Sequence, residues 1–456
     1  MKLMTCALFS LAVLAAGCGR QESAATAPKK LPVASAAQAH SLVLDTRHID
    51  QVLSDFTASG ELVGVSALIY QDGREVYFGA HGMADRERKI PMARDTLVRI
   101  YSMTKPVTGA VLMTLYEQGK FQLDDPLEKY AAEFAGMRVY AGREHGEPVY
   151  EAAARPITVS DIMRHTAGFY SDSSDSPVGE LYRAADPMSL THTLEQMAES
   201  LGELPLVFQP GSRWLYGPST DVQAFLAERL AGQPFLAERL AGQPFAQLLQ
   251  ERILDPLQMH DTGYRIGDRR DRLARMYNRH EDGSFTPITD DRAPANAPLL
   301  RDWPMTPGGW GLVSSLDDYM RFARMLLNGG ALDGVRVLKP ETVALMAADM
   351  LPDTVTDRSW LPGKGQVGFG INFAVRLAPP ADRKEASGAV GEFFWDGFAN
   401  TLFWVDPQHK LAAVLFTQYQ PWGGVDLHKD FRDAVYRNAA AASALGRPAG
   451  PDSAGR

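Results

Sequence analysis

Cysteine is almost missing from this chain. Of 456 residues only Cys6 and Cys18 are cysteine, and both precede residue 20. The body of the chain therefore has no disulfide framework, and its fold must rest on packing. Lysine- and arginine-rich runs are missing as well, and the net charge of -9 is mild for this length. That excludes a nucleic-acid partner. No His-Glu-x-x-His and no Cys/His cluster occurs, so no metal site is expected, and no other cofactor is implied. No Gly-x-Ser-x-Gly elbow occurs either, so an α/β-hydrolase arrangement has no anchor. What is present is a 45% hydrophobic, 22% charged chain. It can bury a large core, as one big domain or two intimately joined ones.

The start, "MKLMTCALFSLAVLAAGCGR", has one lysine, a short apolar run and then small residues. That is the layout of a secretory signal, too short to span a membrane. It ends in "LAAGC", which resembles the lipobox of bacterial lipoproteins. The resemblance implies a signal peptide over 1–17 and lipidation at Cys18, with a periplasm-facing protein held to the membrane only by that anchor. An ordinary cleaved signal is the alternative. Ala-, Ser- and Pro-rich sequence follows, and 18–42 is read as the lipidated cysteine and a flexible tether. The domain is placed at 43–440 and a frayed, disordered tail at 441–456.

Within the domain, "VGVSALIYQDGREVYFGAHG" alternates around a Gln-Asp-Gly turn and predicts a β-hairpin. "NTLFWVDPQHKLAAVLFTQY" predicts a second, turning at Asp406-Pro407. Helical patterns lie between them, at 158–165, 219–230, 316–328 and 340–349. Strands at both ends with helices between predict an α+β fold. Its antiparallel sheet is built from both ends of the chain and flanked by helices, with a mostly helical region inserted at about 121–300. "FLAERLAGQP" occurs twice, at 225–234 and 235–244. Ten further helical residues would rotate the downstream face by about 80°. One copy is therefore expected to loop out at the surface, and the Gly-Gln-Pro that ends each copy favours a break.

"RIYSMTKPVTGAVLMTLYEQGK" places Ser102 three residues before Lys105. Val107, Val111 and Leu115 follow at helical spacing, and Gly119 ends the run. Ser102 is therefore expected at or near the helix N-terminus, as N-cap preference allows, with Lys105 one turn on and facing the same side. A helix N-terminus lowers the cost of negative charge on a serine oxygen. A serine hydroxyl is a poor nucleophile until a neighbour takes its proton. Alone the pair is weak, because a chain this long holds on the order of one Ser-x-x-Lys by chance. The bland alternative is a capping serine beside a solvated lysine.

The context is specific. "YSMTKPVTGAVLMTLYEQGKFQLDDPLEKY" and "ITVSDIMRHTAGF" are followed by "PGSRWLYGPSTDV", "PGGWGLVSSLDDYMRFARMLLNGG" and "GEFFWDGFANTLFWVDP". Together, in this order, they resemble the serine β-lactamase and penicillin-binding-protein superfamily, in its class C-like branch that includes the family VIII esterases. The resemblance runs from about Ile49 to Asn438. It implies a β-lactamase-like fold, Ser102 as nucleophile, Lys105 as its partner and Tyr216 as the proton shuttle. It implies an oxyanion hole from the backbone N–H groups of Ser102 and Phe398. The third motif is Trp395-Asp396-Gly397, where lactamases and carboxypeptidases usually carry Lys-Thr-Gly or His-Thr-Gly. Pro218 stands where an Asn or Ser is usual. Trp395, Gly397 and Trp310 are the substrate-binding candidates. Gly308, Gly309 and Gly311 are expected to let backbone pass close to the site, and His165 is read as structural. Strand alternation turns Trp395 toward the pocket and Asp396 away from it.

The expected activity is hydrolysis of short-chain carboxylic esters through an acyl-enzyme, the partner being a small-molecule ester or amide. The rivals are a β-lactamase or D-alanyl peptidase on the same scaffold, and an idle relative that binds peptidoglycan or a partner. Sequence alone leaves the oligomeric state open.

Overall fold

The computed structural model describes residues 42–171, 176–232, 243–289, 299, 302–358, 360–361 and 363–445, with side chains to 438. The expected leader, Cys18 and most of the tether lie outside them. Among the described residues no helix is long and apolar enough to cross a membrane.

Asp72 and Gly73 both take left-handed backbone, φ +51° and +79°. A two-residue hairpin turn demands that geometry, and Asp and Gly tolerate it. Across the turn Gly64–Gln71 pairs antiparallel with Arg74–Asp85. The second expected hairpin is also present, as Leu402–Asp406 against Leu411–Phe416. Gly64–Gln71 then pairs with Leu411–Phe416, Ser66 opposite Phe416 and Gln71 opposite Leu411. The two ends of the chain thereby close one eight-stranded antiparallel sheet. Its order from one edge is Val367–Phe369, Ala374–Arg376, Phe393–Asp396, Leu402–Asp406, Leu411–Phe416, Gly64–Gln71, Arg74–Asp85, Ile90–Pro91.

Strand alternation shows the layering. Phe403 stacks edge-on against Tyr319, from the helix Leu316–Leu327. Trp404, its neighbour, packs on Phe431 and donates to the Tyr436 hydroxyl (3.1 Å), both from the helix Leu427–Leu445. Successive side chains point to opposite faces, so the sheet is sandwiched between these helices. The helix Thr46–Ala58 packs against Leu427–Leu445 and the Arg74–Asp85 strand.

The helix Thr104–Glu117 is buried from Thr104 to Leu115. A helix apolar on all sides belongs inside a protein. It packs against Ser219–Ala231, from the inserted region. That region is mostly helical, with Val159–Met163, Pro177–Ala185, Leu194–Glu203 and Phe245–Leu249. It also holds a hairpin that the helical reading did not include, Arg138–Glu144 against Glu147–Ala152. His145 and Gly146 turn it through positive φ, and Tyr140 faces Tyr150 across it.

Three further expectations meet the structure. The helix expected at 340–349 is Pro340–Met346, shorter at its end. The first copy of the duplication is helical to Ala231, and its Gly232 forms the C-cap. The last two residues of that copy and 235–242 of the second lie outside the described residues, so the expected loop does too. At the C-terminus the helix runs to Leu445. Residues 441–445 therefore belong to that helix rather than to a disordered tail, and 446–456 lie outside the described residues. The Ala-rich "NAAAASAL" explains the extension, since alanine is the strongest helix former.

Candidate active site

The chain reaches Ser102 through strongly pinned backbone. Val98–Arg99 pairs with Val313–Ser314, and the Ile100 N–H donates to the Leu312 carbonyl (3.0 Å). The buried Arg99 guanidinium donates to the Ala274 carbonyl (2.8 Å). Tyr101 then takes φ +43°. That is an outlier for a bulky side chain and persists only where the surroundings hold it. Tyr101–Met103 forms one 3₁₀ turn, and the helix begins at Thr104. Ser102 thus lies in the turn ahead of the helix and its hydroxyl caps nothing, which corrects the capping expectation. Met103 takes the cap position without a side-chain bond. The Tyr319 hydroxyl, donating to the Met103 carbonyl (2.8 Å), helps hold the turn.

Lys105, in the first helical turn, is buried and faces Ser102 as expected. Its Nζ lies 3.4 Å from Ser102 Oγ and donates to the Gly309 carbonyl at 2.7 Å. The first contact is long for a hydrogen bond and the second is short and strong. The same ammonium stands 4.5 Å from the centre of the Tyr216 ring. So Ser102, Lys105 and Tyr216 are brought together.

Two residues that the sequence did not single out help fix this lysine. Asp221 is buried and accepts from the Gly309 N–H (3.0 Å). The backbone of Gly309, through its carbonyl and its N–H, thus links the Lys105 ammonium to the Asp221 carboxylate. A side chain on Gly309 would place a Cβ 3.0 Å from Asp221 Oδ2 and 3.1 Å from Lys105 Nζ. Both are tighter than ordinary contact, so glycine here leaves the approach clear, as expected for this segment. Burial raises the Asp221 pKa, while the Lys105 charge and the Gly309 and Gly308 N–H groups act against the rise. Asn372 donates to the Lys105 main-chain carbonyl (3.0 Å) and to Gln223 Oε1 (2.8 Å). Nothing local marks either residue, because each acts on a distant segment.

Tyr216 sits before the helix Ser219–Ala231. Its hydroxyl is buried and has no partner among the described residues. Its ring packs beside Trp395 (5.5 Å between centroids), Trp214 (6.0 Å) and His165 (5.0 Å). Pro218 takes the N-cap position of that helix, so the polar side chain usual there is missing. His165 is fully buried, with no partner for either ring nitrogen among the described residues. Burial, and then the Lys105 charge, push its pKa well below the usual range. A neutral ring packed among Tyr216, Trp214 and Phe369 fits the structural reading.

The segment carrying His165 is anchored by Asp161, whose carboxylate closes a capping box with Thr158. Burial opposes its ionisation. The Arg155 hydrogen bond and the charges of Arg164 and Arg155 outweigh that and bring the carboxyl down to about 2. A folded pKa below the unfolded value adds stability that is complete above pH 4 and is lost as pH falls toward 2. The shift corresponds to about 2 kcal/mol. Asp161→Asn is therefore expected to lower the unfolding free energy by roughly that much at pH 6, and the gap to wild type should narrow between pH 4 and 2. Urea titrations at several pH values check this, and a gap independent of pH would refute it.

On the sheet side, Trp395 lies on the Phe393–Asp396 strand, buried against Tyr216 and Phe369. Its indole N–H has no partner among the described residues. Asp396 turns the other way, toward Lys364 and His428, as alternation predicts. The strand ends at Asp396, so Gly397 and Phe398 belong to the following turn. A Cβ on Gly397 would meet the Ile100 carbonyl at 2.5 Å. Phe398 stacks edge-on against Tyr101, and its backbone N–H has no acceptor among the described residues. The close approach at Gly397 and the ring contact set the backbone that bears Phe398 beside the backbone that bears Ser102. Trp310 is half-buried between Gly309 and Gly311 and shares no ring contact with Trp395 or Tyr216.

This arrangement can transfer an acyl group: a hydroxyl, a cation beside it, a phenol over that cation, and N–H groups at a turn. The sequence model of the family described as Beta-lactamase matches residues 49–437. The chain belongs to the beta-lactamase family. Protein Rv1367c of Mycobacterium tuberculosis is 34% identical over 385 residues, covering 83% of this chain and 90% of that protein. Esterase EstB of Burkholderia gladioli is 29% identical over 407 residues, covering 85% and 94%. Among solved structures, EstCE1, described as a hydrolase with promiscuous acyltransferase activity, superposes with a TM-score of 0.70. It is 28% identical, with 86% of this chain and 98% of that one covered. This beta-lactamase family member is an enzyme of the serine-hydrolase type, with the α+β fold read from its sequence.

Proposed function

We propose that this protein hydrolyses short-chain carboxylic esters through an acyl-enzyme on Ser102. Tyr216, as the phenolate that the Lys105 ammonium over its ring stabilises, takes the Ser102 proton and becomes the phenol. Ser102 Oγ attacks the ester carbonyl, and the N–H groups of Ser102 and Phe398 stabilise the oxyanion. The tetrahedral intermediate expels the alcohol, which takes the proton back from Tyr216. Water then attacks the acyl-enzyme by the same route and releases the acid. The N-terminal sequence supports action outside the cytoplasm, from an anchor at Cys18. The esterase names of EstB and of the lovastatin esterase of Penicillium rubens support the substrate class.

The observation that carries this reading is the buried Trp395 beside Tyr216. β-Lactams and D-alanyl peptides present a carboxylate near the scissile bond, and a lysine or histidine at this motif would meet it. Trp395 offers an apolar face and one N–H. An anion brought there loses hydration without compensation. A graded panel of aryl esters beside a chromogenic cephalosporin tests this. Short acyl chains should be cleaved well and the cephalosporin weakly or not at all. Trp395→Lys should lower ester turnover and strengthen binding of carboxylate-bearing substrates. Cephalosporin hydrolysis more efficient than that of any ester would return the lactamase reading.

A further inference from the structure

The turn that carries Phe398 is held from behind by a cluster of buried titratable groups that takes no part in the chemistry above. Gly397 and Thr401 close the turn, the Gly397 N–H donating to the Thr401 carbonyl (2.9 Å). Asn400 sits at φ +63°. Its side chain donates to the Tyr419 carbonyl (2.9 Å) and accepts from the Gly423 N–H (2.7 Å). Its main-chain carbonyl lies 2.9 Å from His428 Nε2, at the start of the C-terminal helix. The other ring nitrogen, His428 Nδ1, is 3.1 Å from Lys364 Nζ. Asp396 Oδ2 stands 4.0 Å from Lys364 Nζ and 3.9 Å from His428 Nδ1. The Lys364 and His428 side chains are only 7% and 12% exposed.

These contacts dictate one proton arrangement. A carbonyl oxygen can only accept, so His428 Nε2 carries the hydrogen. A neutral ring then leaves Nδ1 as an acceptor, which the Lys364 ammonium fills. Burial, then the positive charge of Lys364, push the His428 pKa well below its ordinary value, and the ring stays neutral. Burial also brings Lys364 down to about 8, against the pull of Asp396 and Glu392 and with that of Arg432 and Arg376.

We propose that His428 is a positioning residue for the oxyanion turn. Lys364 selects the ring tautomer that grips the Asn400 carbonyl, two residues beyond the Phe398 N–H. The inference rests on the reading of that N–H as an oxyanion donor. Such a donor acts in the transition state, so its displacement lowers kcat and leaves KM nearly unchanged. Loss of a whole donor costs roughly a hundred- to a thousandfold, and displacement of one should cost about tenfold or more.

The experiment compares ester hydrolysis by wild type, His428→Leu, His428→Gln and His428→Asn, each with a melting curve. The Gln amide nitrogen reaches the Nε2 position, whereas that of Asn stops near Nδ1. His428→Leu should lose about tenfold or more in kcat, with KM within about threefold. His428→Gln should recover most of the loss, and His428→Asn should not. If His428→Leu fails to fold, the Gln and Asn pair decides, since the two amides differ only in reach. Equal kcat in those two, or a kcat for His428→Leu within twofold of wild type, would overturn the inference. Ser102→Ala in the same assay separates the failures. Turnover that survives there overturns the Ser102 reading and this inference with it. Turnover lost there but unchanged in His428→Leu overturns this inference alone.

Discussion

Ser102→Ala is expected to abolish ester turnover and labelling by a phosphonate probe, with the fold unchanged. Loss of a hydrolase nucleophile lowers kcat by roughly a millionfold. The structural cost should be small for reasons visible at the site. The Ser102 hydroxyl caps no helix, so even the approximately 1 kcal/mol of a lost cap does not apply. Its contact with Lys105 is a long 3.4 Å, and the lysine keeps its shorter bond to the Gly309 carbonyl. Asp221 still accepts from the Gly309 N–H. Thermal unfolding should therefore coincide with wild type. Full activity in this variant would end the assignment of the site.

Tyr216→Phe is expected to lower kcat by about a hundredfold or more, the usual scale for a general base. This substitution separates chemistry from packing cleanly. The Tyr216 hydroxyl has no partner among the described residues, so its removal strands no donor or acceptor. The phenylalanine ring keeps the contacts with Trp395, Trp214 and His165 and the place over Lys105. Stability should thus stay close to wild type. Steady-state kinetics and a melting curve on the same preparation check both parts. A twofold loss would reduce Tyr216 to a packing residue and move the base elsewhere.

Much of this was legible in the sequence. Both hairpins announced themselves, because alternation and an Asp-Gly or Asp-Pro turn are properties of adjacent residues. The Ser102–Lys105 pair was legible for the same reason, since a 3₁₀ turn running into a helix brings residues three apart to the same side. The opposed directions of Trp395 and Asp396 followed from the two-residue period of a strand. Local order of this kind is set by backbone geometry before any tertiary contact forms.

What only the tertiary structure decided lies where distant segments meet. The Gly309 carbonyl that Lys105 grips is 204 residues along the chain, and Asp221, which accepts from the Gly309 N–H, lies 88 residues before it. Asn372, which bonds the Lys105 carbonyl, is 267 residues away. The 3₁₀ turn at Ser102 is also tertiary. Sequence preference favours a capping serine, but hydrogen bonds to Leu312 and Tyr319 hold the backbone back by one turn. His428, Lys364 and Asp396 come from a helix, a loop and a strand, and no local pattern joins them. Periodicity records which face of an element is apolar. It does not record which charge closes over which carbonyl, because that depends on how the whole core packs.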